Sequence, residues 1–258
     1  MTESATIQQL KQFRILLIGD DCHDIYTYGY VNRISPEAPV PVFEPHYTIH
    51  KDGMAGNVCK NLETLGCTVN FLHGKSSEKN RLIDARTKQQ LLRMDRDVAS
   101  EPITFETAIP PVYDAIVISD YNKGTVTYEL IEELVKAVNV PIFVDTKKTD
   151  LARLAGCYIK INALEKSRAT SLPDPKHLIV THGGDGAVWD GWVYAAEIVG
   201  DVTDVCGAGD TFLAALVYEF LKTGHMADAV KFANKASSIT VQHVGVYAPR
   251  LEQIKRLY

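Results

Sequence analysis

The 258 residues contain no CxxC pair, no basic run and no apolar stretch long enough to span a membrane. The five cysteines lie at positions 22, 59, 67, 157 and 206. Their odd number and scattered spacing argue against a disulfide framework and against a zinc site. Reduced thiols in a cytoplasmic protein are expected, with Cys206 a buried space-filler rather than a nucleophile. The net charge of −5, without basic clusters, leaves no footprint for nucleic acid or an anionic membrane. Residues 1–12 are polar and lack an apolar h-region, so they read as neither signal peptide nor anchor. No internal repeat or low-complexity linker divides the chain, so residues 1–258 are expected to form one domain.

What is present is a hydrophobic content of 46%, much of it in short runs that end in Gly, Asp or Asn. Residues 14–20 (RILLIGD), 68–74, 115–120, 142–146, 158–162 and 178–183 are such runs. They are apolar nearly throughout, as strands covered on both faces must be. Helical stripes lie between several of them. Val58, Leu62 and Leu65 share one face before a Gly66 stop, and Leu130, Ile131, Leu134 and Val138 share another. The alternation predicts an α/β fold with a doubly wound, mostly parallel sheet. Residues 26–49 break the rhythm with Pro36, Pro39, Pro41 and Pro45, and residues 81–97 are strand-like but strongly charged. These two stretches are expected to pair as antiparallel strands of a small β lid.

The chemistry concentrates in residues 201–211, DVTDVCGAGDT, which lead into an amphipathic helix ended by Gly224. Gly207, Ala208 and Gly209 fall at the helix N-terminus. Small residues there let backbone N–H groups approach an anion, and the helix dipole adds to the attraction. A transferring phosphoryl group needs such a cradle. Asp210, in the same turn, is placed to take a proton from an attacking hydroxyl. The competing reading is that Asp210 caps an ordinary helix and the glycines make a turn.

This run resembles the C-terminal signature of the phosphofructokinase-B, or ribokinase-like, sugar kinases, and the likeness extends over nearly the whole chain. Within that family the nearest likeness is to the kinases of heptose 7-phosphate. It is carried by residues 19–42 (GDDCHDIYTYGYVNRISPEAPVPV), 89–95 (QQLLRMD), 119–124 (SDYNKG) and 145–150 (DTKKTD). The resemblance implies ATP and Mg²⁺ as cofactors, Asp210 as catalytic base, and Gly207, Ala208 and Gly209 as the anion hole. It implies a small-molecule sugar or sugar phosphate as partner, without nucleic acid or membrane. A homodimer through the lid is a further expectation.

Further residues match the family's pattern. Asn162 and Glu165 (NALE) match its N-x-x-E motif near metal and phosphates, with Mg²⁺ held through water. An Asn cap with a first-turn Glu needs no ligand and is the alternative. Thr181 and Gly183 match a turn that meets the nucleotide, though alone they mark a hairpin. Asn234 resembles an adenine-side residue, against a buried and satisfied Asn. Asp24, Gly53 and Asn57 stand where the family binds sugar hydroxyls, against a turn Asp and an Asn cap. Lys123, Arg81, Arg86 and Arg93 are candidates for a sugar phosphate, against solvated faces. Two departures stand out. Where the family has a Gly-Gly pair, this chain has only Gly53, flanked by Asp52 and Met54. A strand–helix unit that normally follows the Gly74 region is missing.

Overall fold

A computed structural model describes residues 12–108, 112–197 and 200–257. The reading of the polar opening segment therefore lies, but for Gln12, outside the described residues. β1 (Arg14–Gly19) carries Ile15, Leu16, Leu17 and Ile18, all sealed from solvent. Two long strands follow, β2 (Asp21–Ile34) and β3 (Pro41–Met54). Then comes α1 (Ala55–Thr64), which buries Val58 and Leu62 and is closed off by Gly66 at φ 95°. β4 (Thr68–His73) is followed by β5 (Ser77–Asp84), β6 (Gln90–Arg96) and the single turn α2 (Phe105–Ala108). The chain then alternates through β7 (Ala115–Asp120), α3 (Tyr128–Ala137), β8 (Ile142–Thr146), β9 (Tyr158–Asn162), α4 (Ala163–Arg168) and β10 (Leu178–Thr181). A hairpin of β11 (Ala187–Trp189) and β12 (Trp192–Tyr194) precedes α5 (Ala208–Thr223), α6 (Met226–Thr240) and α7 (Leu251–Lys255).

The main sheet has eight strands in the order β12-β11-β10-β9-β8-β7-β1-β4. It is parallel from β4 to β10, and the β11–β12 hairpin adds antiparallel strands at one edge. Alternate side chains of one strand serve opposite layers, because the strand period is two. Ile15, Leu17 and Val117 pack with Leu213, Leu216 and Phe232 beneath α1, α5 and α6. Leu16, Ile18, Ile116 and Ile118 pack with Leu130, Ile131 and Leu134 of α3. Burial on both faces explains why these strands read as unbroken apolar runs.

A second sheet, in the order β3-β2-β5-β6, stands apart from the first. It reaches further inward than expected, from Asp21 and from Ser77. Pairing is antiparallel within each stretch, but the two stretches join in parallel, with Cys22 opposite Ser77 and Gly29 opposite Asp84. The expectation of purely antiparallel lid strands is corrected here. β2 continues from β1 and β5 from β4, and those two core strands are parallel neighbours, so the chain leaves both in the same direction. The charged stretch forms two strands, with Lys88 at φ 62° in the turn between them. β4 runs into β5 with no strand–helix unit between, which leaves β4 at the edge of the main sheet.

The five thiols are free, and burial pushes those of Cys59, Cys67 and Cys157 up to about 12. Cys206 is half-buried rather than buried. Among the described residues no helix is long and apolar enough to cross a membrane.

Where β1 ends, Asp20 is buried and gathers a set of backbone donors. Its Oδ2 accepts from the amides of Tyr121 (2.7 Å) and Lys123 (3.1 Å), and its Oδ1 from that of Thr125 (3.4 Å). Asp20→Ala strands these buried donors and should lower stability by about 3 kcal/mol, read from urea unfolding. A loss below about 1 kcal/mol would show that the loop holds without the carboxylate.

Candidate active site

The carboxyl ends of the parallel strands face α5, where doubly wound folds place their ligands. Gly207 precedes the helix at φ 76°, and a Cβ there would stand 2.7 Å from Asn57 Nδ2, so glycine is required twice over. The Ala208 amide donates to Val205 O (3.3 Å) and the Thr211 amide to Gly207 O (3.0 Å). Between them lie the amides of Gly209 and Asp210, first-turn donors that a helix leaves without intrahelical partners. Among Gly207, Ala208 and Gly209, the Ala208 amide is thus engaged by the chain itself.

Asp210 is buried at the same turn. Its Oδ2 accepts from Asn57 Nδ2 at 2.8 Å and its Oδ1 from the Tyr121 hydroxyl at 2.8 Å. Burial pushes its carboxyl up, while the bonds from Asn57 and Tyr121 hold it down. Burial, and next the Asp210 charge, push the Tyr121 phenol well up, so Tyr121 remains a donor. Asn57 is itself fixed by α1, where Asn61 Nδ2 reaches its carbonyl (2.8 Å) and its Oδ1 (3.2 Å).

Two lysines that sequence reasoning did not single out complete the charge pattern. Lys160 is buried in β9, with Nζ 2.7 Å from Asp145 Oδ2. A Cβ on Gly209 would stand 2.9 Å from the same Nζ, so the ammonium looks directly onto the cradle. Lys147 pairs with Glu165 Oε1 and lies 5.2 Å from the centre of the Tyr121 ring. A lysine inside the otherwise apolar run YIKIN is the signal in the sequence for Lys160. Tyr121 lies within the SDYNKG string, where its type alone gives it no role.

Asn162 and Glu165 form a reciprocal capping box. Glu165 N donates to Asn162 Oδ1 (2.8 Å), and Asn162 N donates to Glu165 Oε2 (2.8 Å). Among the described residues no cluster of three His, Cys, Asp or Glu could hold a metal directly. Each capped oxygen keeps a further lone pair, which fits a hydrated Mg²⁺ but not an inner-sphere site.

Thr181, Gly183 and Asn234 line one cleft of about 240 Å³, with Ala208, Gly209 and Phe212 at its wall. Gly183 opens a tight turn at φ 60°, and Asn234 is buried with Nδ2 on Tyr194 O at 2.8 Å. Asn234 is thus satisfied by the backbone and also lines the cleft.

Asp24 lies within β2, not in a turn, and is paired with Arg81 at 2.6 Å. A Cβ on Gly53 would stand 2.5 Å from Asp24 Oδ2, which explains that glycine. Met54 follows at φ 51°, a strained conformation for a residue with a side chain. The other basic candidates also have partners: Lys123 with Asp97 (2.7 Å), Arg93 with Asp95 (2.7 Å) and Arg86 with Asp84 (3.6 Å).

The pfkB family of carbohydrate kinases matches residues 117–254, and the chain belongs to that family. Among curated relatives, the bifunctional protein HldE of a Nitratiruptor species is 31% identical over 300 aligned positions, with 94% of this chain and 64% of the relative covered. HldE of Hyphomonas neptunium is 33% identical over 305, covering 94% and 63%. The chain therefore spans less than two thirds of these relatives. The alignments are longer than the chain itself, as a missing internal unit requires. Ribokinase of Arabidopsis thaliana, solved with ribose and ATP, superposes with a TM-score of 0.67 at 15% identity, over 96% of this chain and 99% of that one. Phosphofructokinase-2 of Escherichia coli gives 0.68 at 14%, over 96% and 98%. The fold is ribokinase-like, and its class is that of the carbohydrate kinases.

Tyr121→Phe removes a bond that favours the ionised carboxylate of Asp210. The Asp210 pKa should rise further, and the acid limb of kcat/KM should move to higher pH. An unmoved limb in the variant would uncouple Tyr121 from the carboxylate.

Proposed function

We propose that this chain transfers the γ-phosphoryl group of ATP to a hydroxyl of a sugar or sugar phosphate, with heptose 7-phosphate, giving the 1,7-bisphosphate, as the preferred acceptor. The observation that carries the reading is the buried Asp210 carboxylate, oriented by Asn57 and Tyr121 at the N-terminus of α5. Each of its oxygens accepts one hydrogen bond and keeps a lone pair for the acceptor proton. The amides of Gly209 and Asp210, with Lys160 beside them, stabilise charge on the phosphoryl oxygens. Thr181, Gly183 and Asn234 line the place for the nucleotide. Asn162 and Glu165 would hold the water shell of Mg²⁺, which would supply neutralisation of phosphate charge. Asp24, Gly53 and Asn57 orient the acceptor beneath the lid. The choice of a phosphorylated heptose rests on the RISPEAPVPV string and on the HldE relatives. In this reading residues 1–258 form one cytoplasmic kinase domain.

The test is ADP release with Mg-ATP over a panel of sugars, sugar phosphates and nucleosides that includes heptose 7-phosphate. Asp210→Asn should cut turnover by ~10²–10⁴ while Mg-ATP binding and the melting temperature persist. Asn fits the site, because its amide can face a Tyr121 hydroxyl turned to accept. A variant that binds ATP, melts normally and turns over at the parent rate would remove Asp210 from the mechanism. Nucleotide binding by the parent without turnover on any acceptor would replace the reading with a regulatory relative.

On one face the lid exposes Leu92 and Met94, and on the other Tyr47 and Ile49. Exposed apolar side chains on a small sheet need cover, and a second copy of the chain supplies it on the Leu92 face in this reading. Sedimentation should show a dimer, and Leu92→Asp with Met94→Asp should shift it to monomer. A parent that sediments as monomer at all concentrations ends the dimer reading.

A further inference from the structure

Lys51 has no part in the chemistry above, yet its surroundings are not those of a solvated lysine. It lies on β3 directly opposite Asp24, so both side chains leave the same face of the lid. Its Nζ reaches out of the lid to the loop after α6, where it donates to Val246 O (3.0 Å) and Val244 O (3.3 Å). Gly245, between these two, is at φ 69° and donates its amide to Asp204 Oδ2 at 2.8 Å. The other oxygen of Asp204 accepts from Cys206 N at 3.0 Å. Asp204 thus joins the 244–246 loop to the turn that runs into Gly207 and Asp210.

The space around Gly245 is shared. A Cβ there would stand 3.1 Å from Lys51 Nζ and 3.2 Å from the Tyr26 hydroxyl. That hydroxyl is buried and has no hydrogen-bond partner. Two carbonyls, an unpartnered hydroxyl and a nearby carboxylate therefore gather at one place. Carbonyl oxygens turned toward the same point repel one another unless a cation lies between them. An ammonium has three donors and no acceptor, which suits an all-oxygen nest.

We propose that Lys51 is a positioning residue whose ammonium acts as a tethered monovalent cation. It holds the 244–246 loop and, through Gly245 and Asp204, sets the turn that presents Asp210 and the anion-binding amides. The cation is carried by the lid, so seating of the lid and geometry of the turn are coupled. The catalytic half of this statement rests on the kinase reading given above; the cation half does not.

The experiment replaces the tether with a free ion. Lys51→Ala removes the ammonium with its three-methylene stem and should lower kcat about tenfold, the scale of one charge-assisted hydrogen bond. Its melting temperature should fall as well. Ammonium chloride should restore both, whereas tetramethylammonium chloride at the same ionic strength, which has no N–H to give the carbonyls, should restore neither. The parent should respond equally to the two salts. Lys51→Met keeps the stem, blocks the space and should show the loss without rescue. A parental kcat and melting temperature in both variants overturns the proposal, as does an identical response of Lys51→Ala to the two salts. A parent without turnover on any acceptor sinks the kinase reading alone, because ammonium-specific recovery of the melting temperature still reads the cation role.

Discussion

A carboxylate removed from water must find donors, and Asp20 finds them in the backbone of the 121–125 loop. That requirement sets the rest of the site. The loop is tied to the end of β1, and its Tyr121 reaches one oxygen of Asp210 while Asn57 reaches the other. The two buried acids solve the same problem differently. Asp20 accepts from three backbone amides that hold a loop in place. Asp210 takes two side-chain donors, one on each oxygen, and keeps capacity on both, the condition for accepting a proton. Asp120 takes two donors on Oδ2, Thr146 Oγ1 at 2.6 Å and Lys148 Nζ at 3.1 Å, and the Asn122 amide on Oδ1 at 2.9 Å.

The positive charges are graded around this centre. Lys160 is buried against Asp145 and adjoins the cradle, while Lys147 is more exposed and tied to Glu165. An anion entering from the cleft lined by Thr181 and Asn234 would meet Lys160 at Gly209, with Lys147 beside Tyr121. Such pre-set charge needs little reorganisation when an anion arrives.

Much of the core was legible in the sequence. β7, β8 and β9 begin and end where the apolar runs do, because burial on both faces writes the same residue type at every position. The helix stops at Gly66 and Gly224 were equally plain. The capping geometry of Asn162 and Glu165 was open as an alternative from their spacing alone, since it is a local bond. The lid was legible as a place but not as a pairing. Its parallel seam depends on β1 and β4 lying side by side, which no local pattern records. The partners of Asp210 were hidden for a similar reason: Tyr121 lies 89 positions away and Asn57 lies 153. Lys51 is 193 positions from Val244, and on its strand it reads as one more polar residue.

The connections between the two sheets carry a mechanical consequence. One residue, Asp20, separates β1 from β2, and none separates β3 from α1. The base of the lid is on a very short leash and cannot swing as a flap. β2 and β3 lose register between Tyr28 and Gly29 and again between Val31 and Arg33, and strands bend at such irregularities. The distal half of the hairpin is therefore the part with room to travel. A molecule entering beneath it would be met by a flexing fingertip on a fixed knuckle, and the charged residues at the knuckle would hold their positions throughout.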